Sequence, residues 1–279
     1  MAMGLGIEEL AAYWVLGAGT GVLAGLLGVG GGIVIVPMLV WIFSALPWGE
    51  VHYASIAHLA LGTSLASIVF TSISSVRAHH RRGAVDWDLV KRLSPALLAG
   101  TLGGTWVASQ MSTPLLKIVF VVFAFYVGLQ MLFNLKPSAG RELPGFWGLS
   151  SVGAGIGLFS SLVGIGGGSV SVPFMTWCRV PLHRAIATSA ALGFPIALAG
   201  AAGFILNGLH FEQSGGQALP APHLGYVYLP ALAGVALGSV LTAPLGAKLA
   251  HALPVARLKQ CFALLLLLLG TRMLWSLWA

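Results

Sequence analysis

The chain has 279 residues, 57% of them hydrophobic and 8% charged, with a mean hydropathy of +0.93. A soluble domain carries about 25% charged residues because water must cover its surface; 14 Lys and Arg with 7 Asp and Glu are too few for that. This excludes a soluble enzyme, a disordered chain and a secreted disulfide scaffold, and predicts a surface covered by lipid.

Glu8 and Glu9 stand where a signal peptide would carry Lys or Arg, so the first apolar run is expected to belong to the mature protein. Crossing the bilayer core takes about 20 mainly apolar residues. Apolar stretches cover 10–27, 33–46, 54–76, 89–109 and 116–135, then 146–163, 170–178, 185–206, 224–245 and 258–278. The second stretch of each set is short and interrupted by Gly and Pro. The expected fold is all-α: a polytopic membrane protein of 8–10 spans, with Gly-broken or re-entrant helices. Cys178 and Cys261 form no motif, so neither a disulfide nor a metal site is expected.

The two sets repeat each other. GVLAGLLGVGGGIVIVPMLVW, ending at Trp41, matches GLFSSLVGIGGGSVSVPFMTW, ending at Trp177. Gly30, Gly31, Gly32 and Pro37 thereby align with Gly166, Gly167, Gly168 and Pro173. Further on, HLALGTS from His58 matches HRAIATS from His183, pairing Thr63 and Ser64 with Thr188 and Ser189. Two repeats are expected, residues 1–140 and 141–279.

Loop charge predicts how the repeats face. Arg77, Arg81, Arg82, Lys91 and Arg92 crowd one loop, whereas its counterpart 207–223 has neither Lys nor Arg. The loop 44–53 has only Glu50 as a charged residue, whereas its counterpart carries Arg179 and Arg184. Lys248 and Arg257 flank a turn whose equivalent, 110–115, is uncharged. Because Lys and Arg stay cytoplasmic, the repeats are read as inverted. An odd number of segments per half requires the same, and places Lys136 and Arg141 inside and both termini outside.

Inverted repeats with broken helices are an architecture of secondary transporters, with substrate held near the midplane. The triplets Gly30, Gly31, Gly32 and Gly166, Gly167, Gly168 are the natural breaks, and Pro37 and Pro173 are assigned to the break geometry. A helix starting after each triplet would aim bare N–H groups and a positive dipole end at an anion. The competing reading is close helix packing, the role assigned to Gly17, Gly21, Gly25, Gly100 and Gly104. Thr63, Ser64, Thr188 and Ser189 either donate to the anion or bond back to their own helices. His58 and His183 are read as structural or as a proton relay; His79 and His80 as solvated loop residues. Lys117, Lys259 and Arg272 are placed at the membrane interface. No acidic residue sits clearly inside a span, no cofactor or nucleic-acid partner is expected, and no catalytic set appears. The coupling ion, proton or sodium, stays open, as does the oligomeric state.

The stretches GLLGVGGGIVIVPML, GTSLASIVFTSISSVRAHHRRGAVDW, GIGGGSVSVPF and ATSAALGFPIALAGAAGFI resemble the TauE/SafE sulfite exporter family, also called the toluene-sulfonate uptake permease family. The resemblance covers nearly the whole chain. It implies a bacterial inner-membrane transporter of small sulfur-containing or organic anions such as sulfite, sulfoacetate, thiosulfate or sulfonates. The other readings are an anion channel and a membrane accessory protein without transport. Where the first repeat has Val69 and Phe70, the second has Phe194 and Pro195, which predicts a kink and an asymmetric cavity.

Overall fold

In lipid every backbone N–H and C=O must be bonded within its own segment, so long apolar runs fold as helices. The computed structural model describes residues 6–28, 30–133, 140, 142–252 and 255–278. Lys136 and Arg141, and the side chains of Arg257, Lys259 and Cys261, lie outside the described residues. Ten α-helices appear among those described: α1 (Ile7–Leu27), α2 (Gly32–Ala45), α3 (Ile56–His80), α4 (Trp87–Ser109), α5 (Thr113–Leu132), α6 (Phe146–Val163), α7 (Gly168–Trp177), α8 (Leu182–Gln213), α9 (Leu229–Ala252) and α10 (Val255–Trp275). A two-residue hairpin, β1 (His223–Leu224) with β2 (Val227–Tyr228), precedes α9, pairing His223 with Tyr228 and Leu224 with Val227.

Six helices, α1, α3, α5, α6, α8 and α9, are long and apolar enough to cross a membrane. α2 and α7, with 14 and 10 residues, reach only about 21 and 15 Å at ~1.5 Å per residue. Each is therefore a partial crossing. α8 runs to Gln213, further than its apolar stretch, and is assigned as one helix through Pro195.

The bundle is centred on α3 packed against α8, whose apolar windows are 83% and 67% buried against 44% for α1, α5, α6 and α9. Around this pair, α1 lies along α9 and α6 along α4, while α2 rests on α3 and α7 on α8. α3 also touches α9, α8 touches α4, and α5 packs on α10. Adding five to each helix number, cyclically, returns the same set of principal pairs. Small residues set these distances: a Cβ on Gly17 would stand 2.4 Å from the Val235 carbonyl, and one on Gly100 2.1 Å from that of Ala154. The outer faces carry the large exposed apolar residues that lipid covers, among them Val15, Trp106, Val122, Leu241 and Leu268.

The two ends differ in charge. Arg184 Nη2 lies 3.6 Å from Asp86 Oδ2, and Arg82 donates to the Ala247 carbonyl, so the basic turns gather at one end. At the other, Trp48 packs on Tyr228 with ring centroids 5.5 Å apart, and Thr113 donates to the Ala54 carbonyl at 2.7 Å.

Candidate functional site

The site begins where the two helix breaks meet. α1 ends at Gly28, whose φ of +67° is the left-handed cap that glycine adopts without strain, and α6 ends at Gly164 with φ +72°. α2 then starts after Gly31 and α7 after Gly167, with φ +77° and +76°. A Cβ on Gly30 would lie 3.3 Å from Gly166 Cα, and one on Gly32 2.3 Å from the Gly164 carbonyl. The triplets are thus in backbone contact. No side chain caps α2 or α7. Within each, the first N–H groups to reach a helical carbonyl are those of Val34 and Val170, bonded to Gly31 and Gly167 at 3.0 and 3.1 Å. Among the described residues the N–H groups of Gly32, Ile33, Gly168 and Ser169 meet no carbonyl, and they form two positively polarised helix starts.

The hydroxyls of α3 and α8 hold this junction. Ser64 donates to the Gly164 carbonyl at 2.8 Å, and Ser189 donates to the Gly28 carbonyl at 2.9 Å. One residue earlier, Thr63 accepts from the Tyr228 N–H at 2.9 Å and Thr188 from the Asp86 N–H at 3.0 Å. All four side chains are fully buried. Their bonds do not run back to their own helices: each serine closes the end of a helix in the other half, and each threonine fixes the chain entering α9 or α4. Ser189 is also 2.9 Å from Ser171 Oγ.

Beside the triplets lies a cavity of about 10 Å³, room for about one water, lined by Gly28, Gly30, Thr71, Ser72, Ser75 and Gly193. Thr71 bonds back to the Ser67 carbonyl at 3.0 Å and meets Ser239, and Ser72 bonds to the Val69 carbonyl at 2.9 Å. Ser75 Oγ is buried with no hydrogen bond, as are Ser160 Oγ and Ser169 Oγ. A Cβ on Gly167 would come within 3.2 Å of that Ser160 oxygen, so unsatisfied hydroxyls border the second triplet as well. The sequence reading did not single these serines out. The available signal was the spacing of Ser67, Thr71 and Ser75, which puts three hydroxyls on one face of α3.

The remaining candidates fall elsewhere. Pro37 and Pro173 lie inside α2 and α7, about one and a half turns past the breaks. Lacking an N–H, each leaves the carbonyl four residues earlier, of Ile33 or Ser169, without its helical donor. His58 is buried, its Nε2–H donating to the Ala108 carbonyl at 3.1 Å and its ring stacked 5.0 Å from Tyr226. His183, its sequence match, is exposed at the start of α8. His79 corrects an expectation: it is not a solvated loop residue but lies in α3, 1% exposed, with Nε2–H donating to the Gly25 carbonyl at 3.0 Å. Lys117 is also buried, its Nζ 3.4 Å from Ser276 Oγ and 4.9 Å from the Tyr53 ring centroid.

Outside the spans, burial and then the Glu212 carboxylate push the Tyr226 hydroxyl up to about 12. Burial and then the neighbouring His223 hold His52 below the usual histidine range. Among the described residues no group of three or more His, Cys, Asp or Glu side chains is placed to hold a metal.

Three relatives can be set beside this geometry. The chain is 36% identical over 261 residues to a probable membrane transporter protein of Haemophilus influenzae, covering 93% of this chain and 96% of the relative. It is 25% identical over 283 residues to one of Bacillus subtilis, covering 94% and 96% of the two chains. A third, of Methanocaldococcus jannaschii, is 27% identical over 267 residues, covering 93% of each. No solved structure matches the chain. The sulfite exporter TauE/SafE family model matches residues 13–273, the whole bundle from the first turns of α1 to the last turn of α10. The chain is a multi-pass membrane transporter and belongs to the TauE/SafE family.

Proposed function

We propose that this transporter carries small sulfur-containing or organic anions, such as sulfite, thiosulfate, sulfoacetate or other sulfonates, by alternating access between two inverted repeats. The observation that carries the reading is the exchange of serines across the junction: Ser64 closes α6, Ser189 closes α1, and the uncapped starts of α2 and α7 open beside them. Two helix starts supply backbone donors to an oxyanion without a fixed buried charge, so the guest is held and also released. The helix pairs that return on adding five support a twofold exchange of halves 1–140 and 141–279. The basic turns, gathered at one end, then mark the cytoplasmic face of a bacterial inner membrane, with both termini on the periplasmic side.

A cavity of about 10 Å³ is too small for any of these anions. Admission requires the triplets to part, which lengthens the two serine bonds. Ser75 joins Gly30, Gly31, Gly32, Gly166, Gly167 and Gly168 as a donor that would line the opened space, with the oxygens of Thr71 and Ser72 beside it. A thermal-shift screen of the purified protein against sulfite, sulfate, thiosulfate, sulfoacetate and taurine tests the substrate class, since a ligand bound only by the folded state raises its stability. Stabilisation by at least one sulfur oxyanion and none by equimolar chloride is expected. Identical melting in all of them would remove the anion site.

A further inference from the structure

A second cavity lies away from the junction, between α2 and α10, and has a volume of about 310 Å³. That is the lower end of the ~300–1,000 Å³ typical of small-molecule sites. Its apolar length is formed by Pro37 and Met38 of α2 and by Leu265, Leu268 and Leu269 of α10. Ser44, Ser276 and Arg272 line its polar end. From Leu265 to Ser276 the groove follows α10 for about 16 Å, close to one leaflet of a ~30 Å hydrocarbon core. Leu264 and Leu268 beside it are 58% and 64% exposed, so the groove opens on the lipid-facing surface.

The polar end carries unanswered positive charge. Arg272 Cζ sits 4.0 Å from the Trp41 ring centroid, and among the described residues no carboxylate pairs with its guanidinium. Lys117 lies behind this end, buried, with its Nζ 3.4 Å from Ser276 Oγ. An occupant must therefore join an acyl chain one leaflet long to an anionic head. The matching residue of the other half is Gln130, so the arrangement belongs to one side of the molecule alone.

We propose that this groove binds one anionic phospholipid, its phosphate on Arg272 against Trp41 and one acyl chain along Leu265, Leu268 and Leu269. The detergent-solubilised full chain is titrated with phosphatidylglycerol, phosphatidylcholine or glycerol phosphate and read by native mass spectrometry. One phosphatidylglycerol per chain is expected, held about fivefold or more tighter than phosphatidylcholine, the worth of one basic side chain at a membrane surface. Arg272→Gln should abolish that preference, Arg272→Lys should keep most of it, and Leu268→Trp, which fills the groove, should weaken both lipids. Equal retention of the two lipids by the wild-type chain, or an unchanged preference in Arg272→Gln, would overturn the proposal. Saturation by glycerol phosphate at the same concentration would overturn it too, revealing a site for free anions. None of these readings depends on transport.

Discussion

Ser189, on α8, donates its hydroxyl proton to the carbonyl of Gly28, 161 residues earlier in the chain, at 2.9 Å. That carbonyl ends α1 at the point where the backbone turns left-handed, and a helix end in a bilayer has no water to bond instead. Ser64 does the same for Gly164 and α6. Neither half can complete its own broken helix. Ser64→Ala or Ser189→Ala leaves a buried carbonyl unpaired, and each should destabilise the protein by about 1–3 kcal/mol. Ser→Thr at either position, which keeps the hydroxyl, should cost less. Unfolding in graded denaturing detergent measures both, and unchanged midpoints in the alanine variants would show that the bonds are dispensable.

The contact between the triplets leaves no room for a side chain. Gly30→Ala would place a methyl 3.3 Å from Gly166 Cα and 3.1 Å from Ile68 Cγ2, on a residue with φ +75°. A non-glycine residue held there costs about 1–3 kcal/mol. The variant should unfold earlier and lose most anion flux in liposomes. Full flux with normal stability would mean that the triplets do not need to meet.

Ser75 separates a binding role from a structural one. Its hydroxyl is buried with no partner, so Ser75→Ala removes an unsatisfied polar atom and should leave the melting temperature unchanged or raised. Flux should nonetheless fall about tenfold or more, the loss expected when a hydrogen bond to an anion, worth about 1.5–3 kcal/mol, is deleted. Unchanged flux would take Ser75 out of the anion path.

The pH dependence at the end bearing the hairpin has a definite sign. His52 is held below the ordinary histidine value of about 6.5, first by burial and then by His223. Its neutral form is the one the fold favours. The stability it contributes is complete above the unfolded value and is lost as pH falls through the lowered folded one. His223→Gln removes the second cause, so the His52 pKa measured by NMR should move up and the loss of stability at acid pH should shrink. A His52 pKa that stays put would show that the two rings do not sense each other.

Helix positions were largely legible in the sequence, because hydropathy marks what lipid covers. The stretch 146–163 coincides with α6, and 33–46 lies within a residue of α2 at each end. α8 overran its apolar stretch because Asn207, His210 and Glu212 lower hydropathy without breaking a helix. Likewise His79 read as loop because of the arginines around it, whereas α3 continues past it and its face packs on α1. The pairing of Thr63 and Ser64 with Thr188 and Ser189 was readable, but their partners were not. A hydrogen bond spanning 100 or more residues depends on which helices meet, and local pattern does not encode that. Ser75 was hidden for the same reason: an unsatisfied hydroxyl is defined by what the neighbouring helices fail to supply.

The most direct test is counterflow. Liposomes carrying the purified chain are given a labelled sulfur oxyanion, with or without unlabelled anion inside. Two halves that take turns around one site should give faster entry of label when anion waits on the far side, and Gly30→Ala should remove the acceleration. Label that enters at the same rate whatever the vesicles contain would contradict alternating access and leave a passive pore.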